Sequence, residues 1–418
     1  MNVLAMNSGS SSLKFKVVEF GESADAADSR QPGIRYEGSV EEIGPAARLL
    51  LRRAGATVLQ SRRAIATHAE AVQCMLDILE HSSRQEGLAF HIEAVGHRVV
   101  HGGEQFRTPV RIDDEVIAAI DRLAELAPLH NPACLAGIKA ACVVMGSDTP
   151  MVAVFDTAFH RSIPPQAATY AIDLDLARKH GIHRYGFHGI AHASLAGICA
   201  AAANRPLTSL RLITLHLGNG CSATAIDRGR SVDTSMGFTP LEGLVMGTRS
   251  GDLDPALVGY LVRKAGLSVD EVERLLNERS GLLGLSGLSN DMRELLIAAE
   301  GRPDSRAALA VDVFCYRVRK YIGAYLAVLG GADAIVFGGG IGERSSVIRA
   351  RICDGMDWCG LRLDPGRNEA AVGLASGEAT KISEVGAQLA CYVAGVDEEV
   401  EIARATRDCI LKRSSNNP

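Results

Sequence analysis

Residues 211–255 read RLITLHLGNGCSATAIDRGRSVDTSMGFTPLEGLVMGTRSGDLDP, and the order of strand, turn and strand within them decides the fold. The apolar run Leu212-Ile213-Thr214-Leu215 predicts a buried strand. His216 follows, then Gly218-Asn219-Gly220, residues that tolerate positive φ and make a tight turn. Ser222-Ala223-Thr224-Ala225-Ile226 resumes strand character. The turn of this hairpin has almost no side chain, so backbone N–H groups can approach an anion closely there. A second glycine-rich loop, Gly247-Thr248-Arg249-Ser250-Gly251-Asp252, carries a permanently charged arginine. Together the two segments fit a phosphate cradle. The spacing alone fits two ordinary surface loops equally well.

The same unit of strand, polar turn and strand occurs at the N-terminus. Val3-Leu4-Ala5-Met6 is apolar, Asn7-Ser8-Gly9-Ser10-Ser11-Ser12 is a small polar turn, and Leu13-Lys14-Phe15-Lys16-Val17-Val18 alternates. The two units lie half a chain apart and each is followed by helices. This predicts two similar α/β lobes facing each other, with the two turns on opposite sides of one cleft that holds a phosphate chain.

Outward from these hairpins the chain alternates strands with helices. Residues 21–34 read as a polar loop, and Arg35–Ser61 as short strands broken by Gly and Pro. Apolar spacing predicts helices over Ala64–His81, Asp113–Leu126, Ile190–Ala203 and Ser305–Leu329. A helix from Asn131-Pro132 to Met145 takes Asn131 as its N-cap and Pro132 as its first residue. Further helices start at Asp254-Pro255 and at Ser268, and Asp397-Glu398-Glu399 caps a final one. Ile92–Gly103 reads as a strand running into a glycine-terminated loop, Met151–Phe155 as a buried strand and Asp333–Phe337 as a strand, with late strands within Lys381–Val396. The run Gly338-Gly339-Gly340-Ile341-Gly342-Glu343 joins a strand to a helix, as a nucleotide's phosphate or sugar region requires. It is neither a Walker A loop nor a close match to GxGxxG.

The 418 residues suggest two or three domains. With 47% hydrophobic and 22% charged residues, the composition is that of a soluble globular protein. A net charge of −5 gives no basic excess for nucleic acid or an anionic membrane surface. The N-terminus lacks the basic and apolar regions of a signal peptide, and no apolar run is long enough to span a bilayer. The ten cysteines form no CxxC pair and read as small core residues in a reducing cytoplasm.

Several segments carry a resemblance. They are Asn7–Lys14, Gly96–Gly103, Leu129–Pro132, Phe155–His160, Arg184–Gly189, His216–Gly220, Phe238–Gly243, Thr248–Asp252, Asp291–Arg293, Gly340–Glu343 and Asp397–Glu399. In these segments, from end to end and in order, the chain resembles the acetate/propionate kinase family of the actin-like ATPase superfamily. The resemblance implies two ribonuclease-H-like, actin-like lobes around a central cleft. The first would be residues 1–157 joined by the C-terminal helix from about 391 to 418; the second, nucleotide-binding lobe would be 158–390. It implies reversible transfer of the ATP γ-phosphoryl to acetate, giving acetyl phosphate and ADP, in a cytoplasmic homodimer.

A carboxylate nucleophile is already ionised at neutral pH, so no general base is needed. The task is to align two anions and neutralise the transferring phosphoryl. By the resemblance, Arg98 and Arg249 would flank the carboxylate and the phosphoryl, their flat forks suiting both. Asp156 would orient an arginine or the substrate, His188 would donate to the moving phosphoryl, and His130 would assist. Asn7 and Glu398 would hold Mg²⁺, with Mn²⁺ as the alternative. His216, Leu217, Gly218, Asn219 and Gly220 would cradle the nucleotide phosphates, with Lys14 nearby. Asp291, Met292, Arg293, Gly340, Ile341, Gly342, Glu343 and Arg344 would border the adenosine. Arg344 stands where the family usually has Asn, which leaves the base preference open. Val100, Leu129, Phe187 and Pro240 would form the acyl pocket, and Val100 leaves little room beyond a methyl.

His97, His101, His160 and His192 read first as buried structural histidines. Asp252 and Glu343 also read as loop holders, and Lys14 also reads as a solvated strand residue. The alternatives are a propionate kinase, a pyrophosphate-using relative, or a catalytically silent actin-like nucleotide switch. Two converging arginines argue against the last.

Overall fold

The computed structural model describes residues 1–9, 11–21, 32–85, 91–128 and 130–414. Most of the loop expected at 21–34, and Leu129 of the expected acyl pocket, lie outside the described residues.

The N-terminal hairpin is present. β1 (Asn2–Gly9) pairs antiparallel with β2 (Ser12–Glu19), Asn7 opposite Lys14. The meander continues through β3 (Gly33–Glu41), β4 (Gly44–Arg53) and β5 (Ala56–Ile65). On its other side β1 pairs in parallel with β6 (Ala94–Val99). The short β7 (Val110–Arg111) is antiparallel to β8 (Met151–Phe155), and β8 is parallel to β6. The order is therefore β5-β4-β3-β2-β1-β6-β8-β7. β8 is buried along its whole length, as an apolar run covered on both faces must be.

Helices His68–Gln85 and Asn131–Met145 cover one face, where Val72, Met75, Leu79 and Ala141 pack on Leu4, Met6, Leu13 and Val95. Helix Glu398–Ser414 covers the other. A Cβ on Gly96 would stand 2.2 Å from Thr406 Oγ1 in that helix, so only glycine permits this approach.

Two expected helix starts are corrected. The helix expected from Ala64 begins at His68, because Ile65 still belongs to β5 and Glu70 turns back to accept the Ala66 N–H at 2.8 Å. The cap of Asn131–Met145 is His130, not Asn131. The Asn131 amide is spent elsewhere: it accepts from the His101 N–H at 3.0 Å and donates to the His101 carbonyl at 3.1 Å.

The second sheet repeats the plan. β9 (Arg211–Leu217) pairs antiparallel with β10 (Cys221–Asp227), which pairs with β11 (Arg230–Thr234). β9 is parallel to β12 (Ala334–Gly338), and β12 to β14 (Ala390–Ala394), with β13 (Ala379–Lys381) antiparallel at the edge. The order is β11-β10-β9-β12-β14-β13. Both sheets thus run antiparallel strands, five in the first and three in the second, into two parallel ones and end on an antiparallel edge. Helix Gly189–Ala202 packs on one face of the second sheet through Leu195 and Cys199, and helix Arg306–Leu329 contacts β9 and β10.

The chain divides into two compact units, Met1–Ala158 with Asp397–Pro418, and Phe159–Val396. The return to the first unit begins at Asp397 and not near 391, because β14 is a strand of the second sheet.

Candidate active site

In the first unit Arg98 is the penultimate residue of β6, on the face that meets the C-terminal helix. Its guanidinium is gripped by Asp156, with Nη2 2.6 Å from Oδ2 and Nε 3.1 and 3.2 Å from the two carboxylate oxygens. Asp156 follows β8 directly; its N–H donates to the Val99 carbonyl at 3.0 Å, so both partners are fixed by neighbouring strands. Arg98 Nη1 reaches Asn7 Oδ1 at 3.4 Å and Glu398 at 3.6 Å. Burial opposes the Arg98 charge, but Asp156 and Glu398 outweigh it and raise its pKa. Four residues expected at the site, Asn7, Arg98, Asp156 and Glu398, are therefore brought together.

Glu398 is positioned by its neighbours. Lys16 on β2 donates to Asp397, and stands 3.6 Å from Glu37 and 3.9 Å from Glu399. Asp397 also accepts the Val400 N–H at 3.2 Å, capping the helix. Burial and the nearby Asp397 push the Glu399 carboxyl above its usual range. His130 and Val100 are half-buried, at the start of helix Asn131–Met145 and just past β6, and Lys14 is exposed.

In the second unit the turn Gly218–Gly220 closes the β9–β10 hairpin. His188 and Arg249 both lie against it: a Cβ on Gly220 would be 3.2 Å from His188 Cε1 and 3.8 Å from Arg249 Nη1. Arg249 Nη1 also donates to the Pro240 carbonyl at 3.2 Å. The His188 ring stands 4.8 Å from that of His216. His188 Nδ1 is 2.9 Å from Ser222 Oγ, which is 2.7 Å from His192 Nε2, and His192 Nδ1 is 2.8 Å from Thr214 Oγ1. Burial holds His192 well below its usual pKa, and brings His160 down to about 4 and His97 to about 3. These histidines are neutral at pH 7. His160 bonds Ser231 and the Phe187 carbonyl, and Phe187 itself is buried.

The two expected adenosine-bordering segments adjoin the same turn. Asn290 Nδ2 donates to Asn219 Oδ1 at 3.0 Å, which ties the turn to Asp291–Arg293. Asp291 caps helix Met292–Ala299 and pairs with Arg293. Gly339 has φ +74° and lies on the Leu217 main chain, where a Cβ would be 2.7 Å from its carbonyl oxygen. Glu343 accepts from the Gly339 and Val396 N–H groups at 3.0 and 3.3 Å, so its carboxylate holds the loop. Asp252 likewise holds a loop, accepting from the Gly243 N–H and Tyr321. Leu217 and Met292 turn buried side chains into the core and can offer a nucleotide only main-chain atoms, whereas Gly340 and Arg344 are exposed.

Several supporting residues escaped the sequence reading. Arg184 donates to the Thr234 and Met236 carbonyls at 3.0 and 3.1 Å and to Glu242 at 2.6 Å, while Tyr170 also bonds Glu242. This braces the loop before His188 against the loop before Arg249. Both Arg184 and Glu242 lie inside segments singled out by resemblance, but nothing local announces that they pair. Among the described residues no cluster of three or more His, Cys, Asp or Glu could hold a metal. Nor is any helix long and apolar enough to cross a membrane.

Comparison with known proteins follows the same lines. The model of the acetokinase family matches residues 2–404. The chain is 48% identical to acetate kinase of Solibacter usitatus over 98% of this chain and 99% of that one. Its fold is similar to the crystal structure of Porphyromonas gingivalis acetate kinase, with TM-score 0.88, 37% identity, and 98% and 99% of the two chains covered. It is similar also to a propionate kinase from Francisella tularensis, with TM-score 0.87, 36% identity, and 97% and 99% covered. Fold and site together define the class: kinases that transfer a phosphoryl group to a carboxylate. Within that class the chain belongs to the acetokinase family, whose members use ATP.

Proposed function

We propose that the protein is an acetate kinase, transferring the ATP γ-phosphoryl in line to acetate and back. The observation that carries this reading is the convergence of His188 and Arg249 on Gly220, a glycine in the tight turn of the β9–β10 hairpin. A guanidinium and an imidazole N–H against bare backbone suit a group that gains charge on its outer oxygens. Arg98, held flat by Asp156, is suited to a carboxylate or phosphoryl group. No base is required, since acetate is ionised at pH 7. His216 and Gly218–Gly220 cradle the phosphates, and Asp291–Arg293 with Gly340–Arg344 border the nucleoside. His130 assists the transfer.

Asn7 and Glu398 would hold Mg²⁺. Their side-chain oxygens both face Arg98 Nη1, at 3.4 and 3.6 Å, and hard oxygen donors suit this ion; Mn²⁺ would take the same donors. The bound ion would neutralise phosphate charge. A cytoplasmic homodimer completes the proposal: the described cysteines are all free, and Leu309, Tyr316 and Val328 are exposed on the long helix.

Propionate is the competing acceptor, supported by the similarity to the Francisella propionate kinase. We infer that Val100 limits the acyl chain. A methylene in such a pocket is worth about 1–3 kcal/mol, roughly 10–200-fold in kcat/KM. A hydroxamate assay with acetate, propionate and butyrate, each with ATP, GTP and pyrophosphate, tests this. Acetate with ATP should give the highest kcat/KM, and Val100→Ala should move the preference toward propionate. A wild-type preference for propionate would overturn the acetate assignment.

A further inference from the structure

Helix Gly189–Ala202 starts from His188, whose φ of +58° puts a non-glycine residue in the left-handed region. Such a backbone persists where its surroundings over-determine it, and it clusters where a side chain must be aimed. The ring is correspondingly held. Nδ1 lies 2.9 Å from Ser222 Oγ, and the opposite edge, Cε1 and Nε2, would stand 3.2 and 3.3 Å from a Cβ on Gly220.

The hydrogens along this chain are not independent. Ser222 has one hydroxyl hydrogen and two imidazole neighbours, His188 and His192. If Ser222 donates to His188 Nδ1, His192 must donate its Nε2–H to Ser222, and Thr214 then donates to His192 Nδ1. Every group is satisfied, and neutral His188 carries its hydrogen on Nε2, facing the turn. In the reverse order His188 presents a bare Nε2 lone pair to the turn, which repels an anion. A phosphate oxygen at the turn therefore selects the first order. Ser222, His192 and Thr214 are fully buried, so water does not compete for these bonds.

We propose that Ser222 and His192 are positioning residues, which hold His188 with its Nε2 hydrogen directed at the Gly218–Gly220 turn. The proposal rests on the reading of His188 as a donor to the transferring phosphoryl.

The test uses the full-length protein with ATP, Mg²⁺ and acetate. Ser222→Ala should lower kcat about tenfold or more, the scale of a misdirected transition-state donor, with the KM for ATP within about twofold. Ser222→Thr, which keeps the hydroxyl, should restore most of it. Long-range ¹H–¹⁵N spectra of ¹⁵N-histidine protein, with His188 assigned by its loss in His188→Asn, should show the Nε2–H tautomer in the wild type and a mixture in Ser222→Ala. Thr214→Val, which removes the far end of the relay, should shift the tautomer in the same direction and covers the case of a poorly folded Ser222→Ala. Unchanged kcat in Ser222→Ala, or a lowered kcat with an unchanged tautomer, overturns the proposal. Normal turnover in His188→Asn would instead overturn the reading of His188, and the proposal with it.

Discussion

His192 lies between Thr214 and Ser222, His160 between Ser231 and the Phe187 carbonyl, and His97 within β6, all with almost no exposure. Burial lowers the pKa of each below the ordinary 6.5, to about 4 for His160 and about 3 for His97. The unfolded chain therefore binds more protons than the fold at mildly acid pH. Stability from these groups is fully present above pH 6.5 and is lost as pH falls toward their folded values. Each pH unit below 6.5 costs about 1.4 kcal/mol per histidine, or roughly 2 kcal/mol each by pH 5. Denaturant midpoints should fall steadily from pH 7 to pH 5. A flat profile over that window would show that these histidines are reached by water.

Arg349 shows how one side chain ties elements together. It is completely buried and has no carboxylate among its bonded partners. Its guanidinium donates to the Gly342 and Glu343 carbonyls at 2.8 and 3.1 Å, near the end of helix Gly339–Arg344. It also donates to those of Asn368 and Ala371 at 2.6 and 3.0 Å, at the end of helix Pro365–Ala370. Two helix C-termini thus offset the charge. Arg349→Met should destabilise the fold by roughly 3 kcal/mol or more, because it leaves buried carbonyls unpaired. Urea denaturation followed by circular dichroism measures this, and a loss below about 1 kcal/mol would contradict the bridging role. None of these contacts was legible in the sequence, since all depend on folding remote segments together. The same holds for Lys16 with Asp397, and for Asn131, whose amide prefers the distant His101 main chain to the local cap. Signals carried by a single segment were legible: the glycine-rich turn at Gly218–Gly220, the apolar runs of β8 and β12, and the Ser268 cap.

At the scale of the molecule, the repeat of strand order between the two sheets is the largest feature that short motifs foretold. Asn7 on β1 and His216 on β9 sit near the ends of equivalent central strands, each flanked by an antiparallel and a parallel neighbour. Each unit gathers charged or hydrogen-bonding groups beside its central strands: Arg98 with Asp156 and Glu398 in one, His188 with Arg249 against the β9–β10 turn in the other. If both arginines act on the transferring phosphoryl and its acceptor, removing either should damage turnover far more than nucleotide binding. The decisive measurement is hydroxamate-assayed turnover of Arg98→Ala and Arg249→Ala with saturating ATP, Mg²⁺ and acetate, alongside the ADP dissociation constant of each. The expected result is acetyl hydroxamate from the wild type, a fall in kcat of roughly 100-fold or more in each variant, and ADP affinity within about threefold. No acyl phosphate from the wild type, or near-normal kcat in either variant, would contradict carboxylate phosphorylation by these two arginines.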